Sequence, residues 1–124
     1  MNFICDFEKA WCGHWNALER MDNNRIIVGG KYSLKVISLI ENKIIKSIDN
    51  EHRCNGIKVF ENKGIFFVSE WSHNIKIFTV DNYQCIRIIK NVHYHNICGF
   101  IILKNGLIAS YCDNIKIWKL VDIK

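Results

Sequence analysis

Short alternations of apolar and polar residues, broken by clusters of Asn, Asp and Gly, run through the chain. Cys54-Asn55-Gly56-Ile57-Lys58-Val59-Phe60 and Ile75-Lys76-Ile77-Phe78-Thr79-Val80 alternate with the period of a strand, whose successive side chains point to opposite faces. Turn chemistry separates such runs at Asp22-Asn23-Asn24, Glu41-Asn42, Glu61-Asn62-Lys63-Gly64 and Asp81-Asn82-Tyr83. Asn, Asp and Gly tolerate positive φ, and Asn and Asp also bond their own backbone. The pattern predicts strands over residues 2–8, 15–20, 25–29, 34–40, 43–48, 54–60, 65–69, 75–80, 84–90, 96–102, 107–111 and 115–120. Strands this short, with turn signals every eight to twelve residues or so, predict an all-β chain. Helix is poorly supported, because the apolar runs are short and Asn or Gly interrupts most of them. The run over residues 107–111 is apolar on both faces, and such a strand must be covered on both sides.

The alternation itself repeats. Asp113-Asn114-Ile115-Lys116-Ile117-Trp118-Lys119-Leu120 has a near-copy in His73-Asn74-Ile75-Lys76-Ile77-Phe78-Thr79-Val80, and a fainter one in Tyr32-Ser33-Leu34-Lys35-Val36-Ile37-Ser38-Leu39. Leu34 to Ile75 is 41 positions and Ile75 to Ile115 is 40. A fixed period of that length marks a stack of four-stranded units. The units run at about residues 13–52, 53–94 and 95–124 of a single domain, residues 1–124. The last unit has three strands, and residues 2–8 stand where the fourth strand of a preceding or closing unit belongs.

Composition agrees with strands. Apolar residues make up 49% of the chain, which argues against disorder, and Ile alone fills 22 positions. β-Branched side chains suit a pleated, buried surface. The net charge of +5 comes from 17 Lys and Arg against 12 Asp and Glu, scattered with no run of three basic residues. That describes a mildly basic solvated surface rather than the clustered footprint of a nucleic-acid binder, so nucleic acid is not the expected partner. The six cysteines form no Cys-x-x-Cys pair and suggest neither a zinc site nor a disulfide framework. Asp6 and Glu8 break up any secretory signal, so a reducing intracellular compartment, the cytoplasm, is expected. Apolar runs reach about five residues where a membrane helix needs roughly 20, so no membrane partner is expected.

The third unit carries Ser110, Asp113 and Ile115-Lys116-Ile117-Trp118 in the order small polar residue, turn acid, strand. In this it resembles the WD-repeat β-propeller family. The resemblance covers nearly the whole chain. It implies about three four-stranded antiparallel blades, an incomplete propeller or one completed by another chain. It also implies a structural hydrogen-bonded chain in the third blade through His95, Ser110, Asp113 and Trp118. Buried imidazole and indole N–H groups each need such partners. The departures from the family pattern are specific. Lys119 stands where the Asp after Trp is expected, and the turn holding Asp113 is one residue short. The second unit keeps His52 and Ser69 but has Phe78 for Trp and no turn Asp. The first keeps Gly13-His14 and has Gly29-Gly30 on its second strand, with neither Asp nor Trp. The polar chain is therefore expected in the third blade alone.

Catalytic constellations are thin. No Gly-rich phosphate loop, metalloprotease helix motif or nucleophile elbow occurs, and carboxylates fall singly in turns. His93 and His95 share one side of an extended segment, with Cys98 and Cys112 within reach of the same unit, but zinc needs about four convergent ligands. No enzyme activity, cofactor or metal is expected. Binding to protein partners through the connections at one edge is expected instead, with Trp71, Arg53, Tyr32, Tyr94 and Tyr111 as the contact residues. Aromatic and Arg side chains dominate interface energetics, and an indole in the polar turn around Trp71 is unfavourable to leave bare. The bland alternative for Trp71 is that it folds back to pad a blade edge. The alternative function is an RNA-binding fragment that uses Arg53, Lys31, Lys90 and Trp71 for phosphate contacts and stacking. Self-assembly, two copies closing a ring head to tail, is a further reading of the blade number.

Overall fold

The computed structural model describes residues 1–5, 15–93 and 96–119. Among them, eleven strands form three antiparallel sheets. The first sheet is β1 (Ala17–Arg20), β2 (Arg25–Gly29), β3 (Ser33–Ser38) and β4 (Lys43–Asp49). The second is β5 (Cys54–Phe60), β6 (Ile65–Glu70), β7 (Ile75–Thr79) and β8 (Cys85–Ile89). The third is β9 (Gly99–Ile102), β10 (Leu107–Tyr111) and β11 (Ile115–Lys119). Every strand pairs with its neighbour in sequence, so each sheet is a meander. The turn residues act as their chemistry dictates. A 3-10 turn over Glu61–Lys63 ends at Gly64, whose φ of 66° any side chain would strain. The hydroxyl of Ser38 accepts from the Glu41 N–H at 3.0 Å and stops β3 before Leu39 and Ile40, short of its expected end.

Residues 2–5 of the first expected strand are not in a strand, and Phe3 and Ile4 are exposed. Residues 6–14, with the rest of that expectation and with Gly13-His14, lie outside the described residues. Alternation records which face a strand would bury, but a strand also needs a free sheet edge beside it.

Register decides which side chains meet across the sheets. On β6 and β7, Ser69 pairs with Ile75 and Phe67 with Ile77, and these face the third sheet. Val68 pairs with Lys76 and Phe66 with Phe78, and these face the first. Calling these the leading and trailing faces, the leading face of the first sheet brings Ile27, Leu34 and Val36 against Ile57, Phe66, Val68 and Phe78 of the second. Phe66 and Phe78 stack with ring centroids 5.1 Å apart. The leading face of the second sheet brings Ile65, Phe67, Ile75 and Ile77 against Phe100, Ile108 and Trp118 of the third. Each fully buried side chain of this kind contributes about 1.5–3 kcal/mol, and both inter-sheet layers are built from them. Lys in each Ile-Lys-Ile run lies on the trailing side, which explains how a charged residue fits a strand covered on both faces. Where the first two sheets come closest, Gly29 leaves no room for more: a Cβ there would lie 2.4 Å from Cys54 Sγ.

Candidate functional site at the loop edge

The connections after the second and fourth strands of the first two sheets lie at one edge. Asn50 N–H donates to Tyr32 O and Val92 N–H to His73 O, each at 2.8 Å, so the same bond recurs one repeat on. This edge holds Arg53 and Trp71. The Trp71 N–H donates to Arg53 O at 3.0 Å, and the Arg53 guanidinium carbon lies 4.6 Å from the centre of the indole. The indole is 49% exposed, so the pair is a cation–π stack with one face to solvent. Trp71 therefore neither pads the interior nor stands bare.

Beneath the pair lies an ion pair that the sequence does not announce. Glu70, at the end of β6, is buried, and the Lys76 ammonium lies 3.0 Å from its Oε2, off the hydrogen-bonding direction of that oxygen. Ser72 Oγ donates to Glu70 Oε1 at 3.2 Å, and Lys76 Nζ donates to Asn50 Oδ1 at 3.1 Å. Asn50 in turn donates to His52 O at 2.7 Å. A buried carboxylate needs a partner charge, and here the partner also joins the first sheet to the second. The Trp71 backbone is thus held on a rigid base.

The other expected contact residues are dispersed. Tyr32 is exposed in the preceding loop, with the Lys31 ammonium 5.2 Å from its ring centre. Tyr111 is on β10, paired with Gly99 and Ile115, and its ring lies over Gly99, where a Cβ would meet it at 2.8 Å. It belongs to a sheet face rather than to the loop edge. Tyr94 lies outside the described residues.

The third sheet contains a polar chain that joins Trp118 and Ser110, both expected members, to His93 and Asn114. Trp118 Nε1–H donates to Ser110 Oγ at 3.0 Å, and Ser110 Oγ lies 2.7 Å from His93 Nε2. His93 Nδ1 lies 3.2 Å from Asn114 Oδ1. One set of protons satisfies every atom: indole to hydroxyl, hydroxyl to Nε2, and Nδ1–H to the Asn114 carbonyl oxygen. The imidazole at Ser110 is His93, while His95 lies outside the described residues. The turn side chain facing it is Asn114, the neighbour of Asp113. In the second sheet Val68, not Ser69, holds the place of Ser110, because Val68 pairs with Lys76 as Ser110 pairs with Lys116. Ser69 points to the opposite face, and its buried hydroxyl has no hydrogen-bond partner among the described residues.

Next to this chain a recess of about 640 Å³ opens at the loop edge, lined by His73, Asn91, His93 and Lys116. Both nitrogens of His93 are committed to Ser110 and Asn114, and Lys116 Nζ donates to Val92 O at 2.9 Å. Among the described residues no helix is long and apolar enough to cross a membrane.

No family model matches the sequence, and no curated protein matches it. Solved structures do match. The crystal structure of RRP9 WD40 repeats superposes with a TM-score of 0.78 over 90% of this chain, at 13% identity. This chain spans 37% of that one. Likeness at that identity is likeness of fold, and the meander order, the face-to-face packing and the loop edge are its content. The chain therefore has the fold of part of a WD40-repeat β-propeller, with two four-stranded blades and one three-stranded blade, not closed into a ring, among the described residues.

Proposed function

We propose that the chain is a non-catalytic protein-binding scaffold that engages its partners through the Arg53–Trp71 pair at the loop edge. The observation that carries this reading is the half-exposed indole stacked on a guanidinium above a buried ion pair. A rigid aromatic surface with a fixed cation beside it loses little conformational freedom on binding. The fold supports the same reading, since blades hold loops in place without bringing catalytic groups together. Cys54, Cys85 and Cys98 carry free thiols, which supports a reducing intracellular setting.

The test is affinity capture with the purified chain, in parallel with Trp71→Ala, at roughly 50 and 200 mM salt. A protein retained at both salt concentrations and lost with Trp71→Ala is the expected result. Retention of RNA alone, falling steeply between those concentrations, would overturn the reading in favour of nucleic-acid binding. Equal capture by the two chains would remove Trp71 from the site.

A further inference from the structure

The repeat supplies its own comparison for the third blade. Leu34 and Val36 are 0% exposed, and Ile75 and Ile77 are 2% and 0%, because the trailing face of the next blade covers them. Ile115 and Ile117 hold the same positions. They pair with Tyr111 and Ala109 as Ile75 and Ile77 pair with Ser69 and Phe67. Yet they are 76% and 59% exposed, and Ile101 beside them is exposed as well. The opposite end of the stack is also uncovered. Leu18 pairs with Val28 as Ile57 pairs with Val68, but Leu18 is 67% exposed where Ile57 is 3%. Ile26 and Val28, in the places of Phe66 and Val68, are only half-buried.

We propose that the leading face of the third blade takes the trailing face of the first blade of a second copy of this chain, head to tail. A surface able to cover Ile115 and Ile117 must present apolar groups where Ile57, Phe66 and Val68 stand. The first blade presents Leu18, Ile26 and Val28 there. This junction is made twice inside the chain already, with the same register. Two leading faces meeting each other would be a pairing that the chain makes nowhere. The contact is heterologous, and it closes when the second copy returns the favour at its other end. The ring then holds about six blades, within the usual range of roughly four to eight. The proposal stands apart from the loop-edge reading, because neither Trp71 nor Arg53 takes part.

Sedimentation velocity of the 124-residue chain tests it, with Ile117→Asp and Leu18→Glu as single variants. The wild-type chain is expected to sediment at twice the monomer mass or more, and each variant alone as a monomer. An equal mixture of the two variants regains a dimer, since the intact leading face of one meets the intact trailing face of the other. Circular dichroism and melting establish that each variant is folded. If Ile117→Asp is not, Ile115→Glu serves in its place, on a side chain more exposed still. A monomeric wild-type chain overturns the proposal. So does a mixture that stays monomeric, or a Leu18→Glu variant that keeps the dimer, which would mean that leading faces pair with each other.

Discussion

The Arg25 guanidinium of the first blade lies 2.6 Å from the hydroxyl of Tyr83 in the second. The same nitrogen donates to the Val80 carbonyl at 3.1 Å. Arg25 is held in position by Asp22, whose Oδ2 accepts from Nε at 2.9 Å and from Nη2 at 2.7 Å. The edge opposite the loops is thus fastened by one planar cation shared between two blades, as the loop edge is fastened by Lys76. A guanidinium suits this work because its donors diverge in a fixed fork.

Tyr83→Phe removes one hydrogen bond from that cation and is expected to lower the unfolding free energy by about 1 kcal/mol. The contact also gives stability a pH dependence of defined sign. Hydrogen bonding from Arg25 holds the Asp22 carboxyl below its ordinary value, with the Asn24 N–H assisting and burial opposing. A carboxylate of that kind stabilises the fold above its unfolded pKa, near 4, and loses its contribution as pH falls through the lower folded value. Urea midpoints should therefore decline below about pH 4, and less steeply in Asp22→Asn.

Ser110→Ala breaks the polar chain in the middle. It leaves the Trp118 N–H and His93 Nε2 facing each other across a missing hydroxyl. Removing a shared partner from buried groups costs about 1–3 kcal/mol, which chemical denaturation reads directly. An unchanged midpoint would mean that water serves both atoms.

Cys54 lies where the first two blades meet, and burial pushes its thiol up to about 12. Only the thiolate reacts with alkylating reagents. Iodoacetamide at neutral pH is expected to label the exposed Cys85 and Cys98 in the native chain, and Cys54 only after unfolding. Mass spectrometry of the digest decides, and native labelling of Cys54 at the rate of Cys85 would show that the two blades part.

How much of this is legible in the sequence depends on whether the information is local. Strands such as Cys54–Phe60 and Ile75–Thr79 are read from alternation and bounding turns, because register within a meander follows from the chain itself. The end of β3 is not, since it rests on one hydroxyl of Ser38. His93 had a signal: it follows His52 by 41 positions, the period that also joins Leu34 to Ile75. The family resemblance points to His95, which lies outside the described residues. Val68 and Ser69 are told apart only by which face pairs with Lys76. Nothing around Glu70 marks it as buried, because Lys76 reaches it from another strand and is itself held by Asn50.

The alternation of aliphatic residues with Lys along β3, β7 and β11 gives the stack a direction. Every blade turns an aliphatic front towards its successor and a lysine-threaded back towards its predecessor, so front and back are unlike but mutually fitting. Each unit then contacts only its nearest neighbours, so the whole module is the natural unit of gain or loss. Length changes in this chain and its relatives are accordingly expected to come in steps of one repeat.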